Sequence, residues 1–120
     1  MAEVGSPVTQ GMPTTLDVTD EYVTIGAGLT ASLVTINLQF DGSWSGTLTF
    51  RGGMLSNGTM SWDPILATNL TTGVAASTTA GGAGVTENHR IDASGFDAIS
   101  VYATSVVAGQ ADVTFRIVIG

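Results

Sequence analysis

The only imidazole in this 120-residue sequence belongs to His89, so a serine–histidine–carboxylate relay would need His89 as its base. The residues around it, Glu87-Asn88-His89-Arg90-Ile91, are typical of an ordinary β-strand. The nearest approach to a nucleophile elbow is Gly42-Ser43-Trp44-Ser45-Gly46. Its serines are out of place for the Gly-x-Ser-x-Gly pattern, and it does not lie between a strand and a helix. These residues do not predict triad catalysis.

Two groups of carboxylates have the composition of an acid–base pair or a Ca²⁺ site: Asp17 with Asp20-Glu21, and Asp92 with Asp97. Both groups flank predicted turns, where Asp is favoured because its side chain accepts hydrogen bonds from nearby backbone amides. Neither group has the ligand density of an EF-hand loop. We interpret them as turn residues, and the sequence predicts no catalytic residue, no metal and no cofactor.

Four aromatic residues could stack on sugar rings: Tyr22, Trp44, Trp62 and Tyr102. Trp44 shares a strand face with Leu48 and Phe50, which favours a place in the core. Trp62 lies beside the break at Asp63-Pro64 and is the better candidate for contact with a partner.

Charge and composition limit the possible partners. Charged residues make up 11% of the chain, against roughly 25% in a typical soluble domain. The net charge of −7 would repel a nucleic-acid backbone, so we expect no nucleic-acid partner. No apolar run approaches the roughly 18 residues of a membrane helix, and the start of the chain does not resemble a signal peptide. We therefore expect no membrane partner and synthesis in the cytoplasm.

Alternating apolar and polar residues predict β-strands along most of the chain. In one strand Val34, Ile36, Leu38 and Phe40 face inward while Leu33, Thr35, Asn37 and Gln39 face outward. After a turn at Asp41-Gly42, Trp44, Gly46, Leu48 and Phe50 face inward on the next strand, and we expect the two strands to form a hairpin. The final strand has its inward positions at Ala111, Val113, Phe115, Ile117 and Ile119.

The remaining segments complete an all-β prediction. Residues 71–84 are nearly all Thr, Ser, Ala and Gly, and we expect a long flexible loop there, with at most a weak edge strand. Pro64 favours an edge strand for its segment. No segment has a helical period, so about seven or eight strands must bury one face each. The expected fold is a single antiparallel β-sandwich, of immunoglobulin-like or jelly-roll topology.

The chain is expected to consist of an N-terminal arm, residues 1–13, and a sandwich domain, residues 14–120. The arm contains Gly and Pro with little apolar content, and we expect it to be loosely held in the free protein. Such a segment could become ordered on a neighbouring subunit. The predicted partner-binding residues are Val4, Pro7, Met12, Pro13 and Trp62.

Two distant segments resemble a known family. These are Trp44-Ser45-Gly46-Thr47-Leu48-Thr49-Phe50 and Gly95-Phe96-Asp97-Ala98-Ile99-Ser100-Val101, with a closing strand at Gly109-Gln110-Ala111-Asp112-Val113-Thr114. Together they are similar to a β-sandwich module common in small structural proteins of tailed bacteriophages. Head decoration proteins, head fibres and tail appendages use such modules. The resemblance spans about residues 40–118 and implies no catalytic residue.

The resemblance and the composition together predict a non-enzymatic virion protein. The leading hypothesis is a capsid decoration or cement protein that binds the major capsid protein, or another virion protein, on the outside of a phage head. The family further implies a homo-oligomer, with a trimer favoured. A carbohydrate- or receptor-binding module of a phage appendage is the alternative, and an unrecognised hydrolase comes last.

Overall fold

A computed structural model describes residues 11–26 and 31–119. Within these ranges every regular element is a strand, and no helix capable of crossing a membrane is present. The strands are β1 (Thr14–Leu16), β2 (Tyr22–Gly26), β3 (Ala31–Phe40), β4 (Ser45–Ser56), β5 (Thr59–Pro64), β6 (Ala67–Asn69), β7 (Ala75–Ala76), β8 (Thr78–Thr79), β9 (Thr86–Asp92), β10 (Ala98–Ala108) and β11 (Ala111–Ile119).

The strands form two antiparallel sheets, which confirms the predicted sandwich. One sheet has the order β1-β11-β3-β9-β6-β7, and the other has the order β2-β10-β4-β5, with β8 also paired to β4. From β1 to β4 each successive strand lies in the opposite sheet, and β9, β10 and β11 alternate in the same way. This nested order is that of a jelly roll, so the structure decides between the two topologies left open by the sequence.

One apolar core fills the space between the sheets. The inward positions predicted on β3 are all buried, as are Leu48 and Phe50 on β4. On β11, Ala111, Val113 and Phe115 are fully buried, whereas the side chain of Ile119 lies outside the described residues. The largest fully buried side chains are Phe50, Phe115, Leu16, Ile36, Leu38, Leu48, Ile91, Ile99, Val23, Val34, Val101 and Val113.

The predicted hairpin between β3 and β4 is wrong. β3 pairs with β11 and β9, while β4 pairs with β10, β5 and β8 in the other sheet. The turn at Asp41 carries the chain across the core, where the rings of Phe40 and Trp44 lie 5.0 Å apart between centroids. Alternation shows which side of a strand is buried, but not which strand it pairs with. The same pattern fits two paired strands of one sheet and two strands that face each other across a core.

The true hairpin joins β4 to β5 through Asn57-Gly58, where both residues have positive φ, 53° and 78°. These angles fit the Asn-Gly turn that matches the twist of two antiparallel strands. β5 ends at Pro64 and lies at the edge of its sheet, as the proline predicts.

Residues 71–84 do not form one long loop without pairing. β7 pairs with β6 in the six-stranded sheet, and β8 pairs with β4 in the five-stranded sheet. The amide of Phe50 also donates to the carbonyl of Ser77 at 2.8 Å. The segment therefore contacts both sheets, and backbone pairing, which composition does not reveal, explains why small hydroxyl-bearing residues suffice there.

Truncation of buried side chains tests the face assignment. We expect Phe40→Ala, Leu48→Ala and Phe115→Ala each to lower the free energy of unfolding by about 2–5 kcal/mol, because each leaves a cavity in the core. Thr47→Ala and Thr114→Ala, on the opposite faces of the same strands, should cost far less. Denaturant titration measures all five, and three neutral apolar truncations would show that the faces are inverted.

Candidate functional site

The outer face of the five-stranded sheet holds a cluster of three aromatic rings around one arginine. Tyr22 on β2, Tyr102 on β10 and Trp62 on β5 surround Arg51 on β4. The Cζ atom of Arg51 lies 4.8 Å from the Tyr22 centroid, 4.9 Å from that of Trp62 and 4.4 Å from that of Tyr102. These distances are within the range of cation–π attraction. We refer to Tyr22, Arg51, Trp62 and Tyr102 as the aromatic–arginine cluster.

Small residues beneath the cluster allow the long side chains to meet. Tyr22 and Trp62 lie on the two edge strands, yet their ring centroids are 6.2 Å apart. A Cβ atom at Gly53 would lie 2.7 Å from the Trp62 ring, so only glycine at this position lets the indole lie over β4. Ser100, which the sequence places on the outer face, is fully buried and accepts a hydrogen bond from Arg51 Nε at 3.1 Å.

The electrostatics of the cluster follow from burial and from two phenol groups. Burial lowers the pKa of the Arg51 guanidinium, while Tyr22 and Tyr102 act in the opposite direction. The guanidinium stays protonated at neutral pH because an arginine pKa lies far above 7. Its Nη2 atom is buried and has no hydrogen-bond partner among the residues that the structure describes. The cation is thus held by rings more than by carboxylates.

Tyr102 links the cluster to the turn before β2. Its hydroxyl donates a hydrogen bond to the Asp20 carboxylate. This bond, with smaller effects of burial and of the Asp20 charge, raises the pKa of Tyr102, while Arg51 acts weakly in the opposite direction. Asp20 itself has a φ of 74°, a left-handed conformation that Asp adopts more readily than most residues.

The outer face of the six-stranded sheet carries a polar groove with a volume of about 360 Å³. Its walls come from three neighbouring strands, β11, β3 and β9. The lining residues are Thr35, Asn37, Gln39, Asn88, Thr114 and Arg116. Amides and hydroxyls of this kind can both donate and accept hydrogen bonds. We refer to this surface as the polar groove.

His89 is placed inside the sandwich and not in either surface. It is 4% exposed, and its ring centroid lies 4.8 Å from that of Phe50. Its Nε2 atom lies 2.8 Å from Glu87 Oε1, which also accepts a hydrogen bond from Thr79 Oγ1 at 2.7 Å. The threonine hydroxyl therefore bonds to the carboxylate and not to the imidazole, so this trio is not arranged as a nucleophile and its base.

The side chains in the two sets of acidic residues, Asp17 with Asp20-Glu21 and Asp92 with Asp97, accept hydrogen bonds chiefly from backbone amides. Glu21 Oε1 accepts from the amide of Val18 at 3.0 Å, and Asp97 Oδ2 accepts from that of Leu55 at 2.6 Å. The amide of Ser94 donates to Asp92 and lowers the pKa of that exposed carboxyl. Among the described residues, no group of three or more His, Asp or Glu is placed to hold a metal ion.

The predicted partner-binding residues are spread over the molecule. Val4 and Pro7 lie outside the described residues. Met12 and Pro13 are exposed just before β1, and Trp62 is half-buried in the aromatic–arginine cluster. Trp44 is 5% exposed and donates from Nε1 to the carbonyl of Ala80 at 2.8 Å, as a core residue would.

Sequence reasoning named Tyr22, Trp62 and Tyr102 as aromatic candidates but missed Arg51, which the three rings surround. Period-two alternation puts Arg51 and Tyr102 on the faces opposite to the buried Phe50 and Val101, but it cannot show that their strands are adjacent. The outward residues Thr35, Asn37 and Gln39 were likewise identified, but the groove needs the flanking positions on β9 and β11.

Comparison with known proteins shows similarity in fold. No protein-family model and no curated protein matches this sequence. Among solved structures, the SPBc2 prophage-derived protein YomS matches with a TM-score of 0.66 and 18% identity, over 92% of this chain and 97% of YomS. The PBSX exported protein XepA matches with a TM-score of 0.67 and 18% identity, over 92% of this chain. The chain spans 39% of the length of XepA.

The ionisation of Tyr102 tests the geometry around Asp20. The chain has two tyrosines, so in a Tyr22→Phe background the phenolate absorbance reports Tyr102 alone. We expect its pKa to lie above the ordinary value of about 10, and Asp20→Gly to lower it, because glycine removes the acceptor but tolerates the positive φ.

The raised pKa also fixes the direction of a stability effect. The Tyr102–Asp20 bond stabilises the fold below the unfolded pKa of about 10, and this contribution is lost as pH rises through the folded pKa. Asp17→Gly removes a carboxylate from the same turn and is the control, which should leave the titration of Tyr102 unchanged. An identical midpoint with and without Asp20 would show that the bond does not form.

Proposed function

We propose that this chain is a non-enzymatic structural protein of a phage virion. The observation that carries the proposal is the match to the prophage-derived protein YomS, which extends over nearly the whole of both chains. The motifs that resemble tailed-phage modules fall on two adjacent strands of the five-stranded sheet: Ser45-Gly46-Thr47, directly after Trp44, begins β4, and Ala98-Ile99-Ser100-Val101 begins β10. A shared fold and the family motifs therefore support the same class of protein.

Its specific role is that of a capsid decoration or cement protein on the outer surface of a phage head. The β4–β5 hairpin offers a surface for the major capsid protein or another virion protein. Met54 and Leu55, successive residues of β4, are 54% and 56% exposed. Successive side chains of a strand point to opposite faces, so neither face of this hairpin end is covered. Apolar surface of this kind is what a partner would bury.

The aromatic–arginine cluster lies in the same sheet as the hairpin. Tyr, Trp and Arg are the residue types that contribute most to protein interfaces when they are buried there. In the free protein Arg51 already lies over Trp62, so that face of the indole is not open to a sugar ring. This arrangement favours contact with a protein partner over carbohydrate stacking.

A carbohydrate-binding module of a phage appendage is the second candidate function. The polar groove favours it, because Asn37, Gln39 and Asn88 place three amide side chains in one cleft. This groove lies on the sheet opposite to the aromatic–arginine cluster, so the two candidate functions use different surfaces.

Attachment to heads tests the leading function. We expect the protein to co-sediment with mature, expanded heads of its own phage and poorly with unexpanded proheads, because the subunit arrangement that it spans forms on expansion. The double variant Met54→Ser with Leu55→Ser should weaken attachment at least several-fold by removing apolar contact area. Val107→Ser is the matched control, since Val107 is 75% exposed but lies on β10, outside the hairpin.

Deletion of residues 1–13 belongs to the same experiment. It leaves every described strand intact, because β1 begins at Thr14, and it should weaken attachment without unfolding the sandwich. Equal binding by the truncated form would remove the arm from the mechanism. Binding of neither form to any head preparation would contradict the capsid role and favour the appendage module.

We further expect the protein to form a homotrimer. Decoration proteins commonly occupy three-fold or quasi-three-fold positions, and a chain with only 11% charged residues leaves apolar area to cover between subunits. Sedimentation equilibrium should report three times the 12.2 kDa mass of one chain. A monomer at every concentration, both alone and eluted from heads, would refute this stoichiometry.

A further inference from the structure

Two arginines stand in one row across the outer face of the six-stranded sheet. Arg116 on β11 and Arg90 on β9 are both paired in register with Thr35 on the central strand β3. Two inter-strand spacings separate them, so their Cα atoms are roughly 10 Å apart. The whole chain has three basic residues and a net charge of −7, and two of the three therefore meet in this row.

Arg90 and Arg116 are both exposed residues, and neither forms an ion pair within the described part of the chain. The nearest carboxylates along their own strands are engaged elsewhere. Asp92 accepts a hydrogen bond from the amide of Ser94 at 3.0 Å, and Asp112 accepts one from Thr15 Oγ1 at 2.6 Å. The arginine row thus presents planar, charged donors that suit a carboxylate or a phosphate.

The polar groove contains Arg116 of this row and extends along β3, while Arg90 lies beside it, next to Thr35. Thr35, Asn37 and Gln39 point outward at every second residue, so their Cα atoms follow one another at intervals of about 7 Å. Asn37 Nδ2 donates to Asn88 Oδ1 at 2.9 Å, which leaves the Asn37 carbonyl as an acceptor and the Asn88 amide as a donor. An elongated ligand that bears hydroxyl groups would match this series of donors and acceptors.

We infer that the polar groove binds an acidic oligosaccharide, with its carboxylate or phosphate on the Arg116–Arg90 row and its hydroxyl groups along Asn37 and Gln39. This inference rests on the second candidate function and names its ligand class. The volume of about 360 Å³ lies within the range of ligand sites, roughly 300–1,000 Å³.

The negative charge of the ligand is required by the chemistry of the groove. Its lining contains no aromatic ring on which a neutral sugar could stack. Hydroxyl–amide hydrogen bonds mostly replace equivalent bonds to water, so they contribute specificity and little affinity. Charge-assisted bonds to arginine are stronger, and they are what distinguishes an acidic sugar here. A protein of net charge −7 repels any polyanion, so a nucleic acid with a phosphate at every nucleotide is disfavoured, whereas an oligosaccharide with one acidic residue places a single charge on the arginine row.

Isothermal titration calorimetry of the full chain with four probes tests the inference. The probes are a sialylated trisaccharide, which carries one carboxylate, an oligomannoside with a single phosphate group, a neutral malto-oligosaccharide, and a single-stranded oligonucleotide. We expect binding of at least one of the first two, with affinity that falls as salt is raised, and much weaker binding of the last two. The first two probes distinguish a carboxylate ligand from a phosphate ligand.

Variants locate the binding surface. Arg116→Gln and Arg90→Gln should each weaken binding of the acidic probe about ten-fold or more, and Asn37→Ala should weaken it less. Ser45→Asp is the matched control. It lowers the net charge by one unit, as the arginine variants do, but at an exposed position in the opposite sheet. Its binding should remain within about two-fold of the parent, after correction for the small change in overall field.

The outcomes separate this inference from the functions on which it builds. Neutral sugar bound as tightly as acidic sugar, and weakened by Asn37→Ala, would support a carbohydrate-binding module but overturn the acidic ligand. Absence of binding to every saccharide would overturn both. Equal or tighter binding of the oligonucleotide, or loss of affinity in Ser45→Asp equal to that in the arginine variants, would also overturn the inference. None of these results affects the test of attachment to heads.

Discussion

Each long strand of this protein has one apolar face, and the burial of these faces between two sheets is the constraint on which the other features depend. Because the side chains of a strand alternate, burying Phe50 and Val101 forces Arg51 and Tyr102 outward on the neighbouring positions. Burying Ile36 and Phe115 likewise forces Asn37 and Arg116 outward on the other sheet. The candidate surfaces are therefore consequences of the same alternation that builds the core.

The two outer faces differ because the few charged side chains are divided unequally between them. On the five-stranded sheet the single arginine is enclosed by rings, where its charge stabilises the packing of four strands through cation–π contacts. On the six-stranded sheet Arg116 is exposed among the amides and hydroxyls of the polar groove, and Arg90 is exposed beside it. A protein with 11% charged residues has little other means of giving a surface a distinct chemical character.

Much of the fold could be predicted from the sequence, because the buried and exposed sides of a strand appear as alternating apolar and polar residues. Alternation on β3 and β4 gave the correct inward residues, and Pro64 gave an edge strand. The pairing partners could not be predicted, since Phe40 and Trp44 satisfy a hairpin and a crossing of the core equally well. Within residues 71–84 a weak edge strand was expected and β7 is one, but the pairing of β8 with β4 was missed because such backbone bonds leave no trace in composition. Arg51 was not recognised as the partner of Trp62 because their contact depends on the pairing of β4 with β5, which composition does not reveal.

The two proposed binding activities are compatible because of how a sandwich separates its surfaces. Packed sheets stand about 10 Å apart, and the smallest dimension of this molecule is 23 Å, so one partner cannot contact both outer faces without wrapping around it. A capsid subunit that covers the β4–β5 hairpin and the aromatic–arginine cluster would leave the polar groove facing away from the head. Attachment through one sheet would then orient Arg90 and Arg116 toward whatever the particle meets, so a decoration protein and an acidic-glycan receptor can be the same molecule.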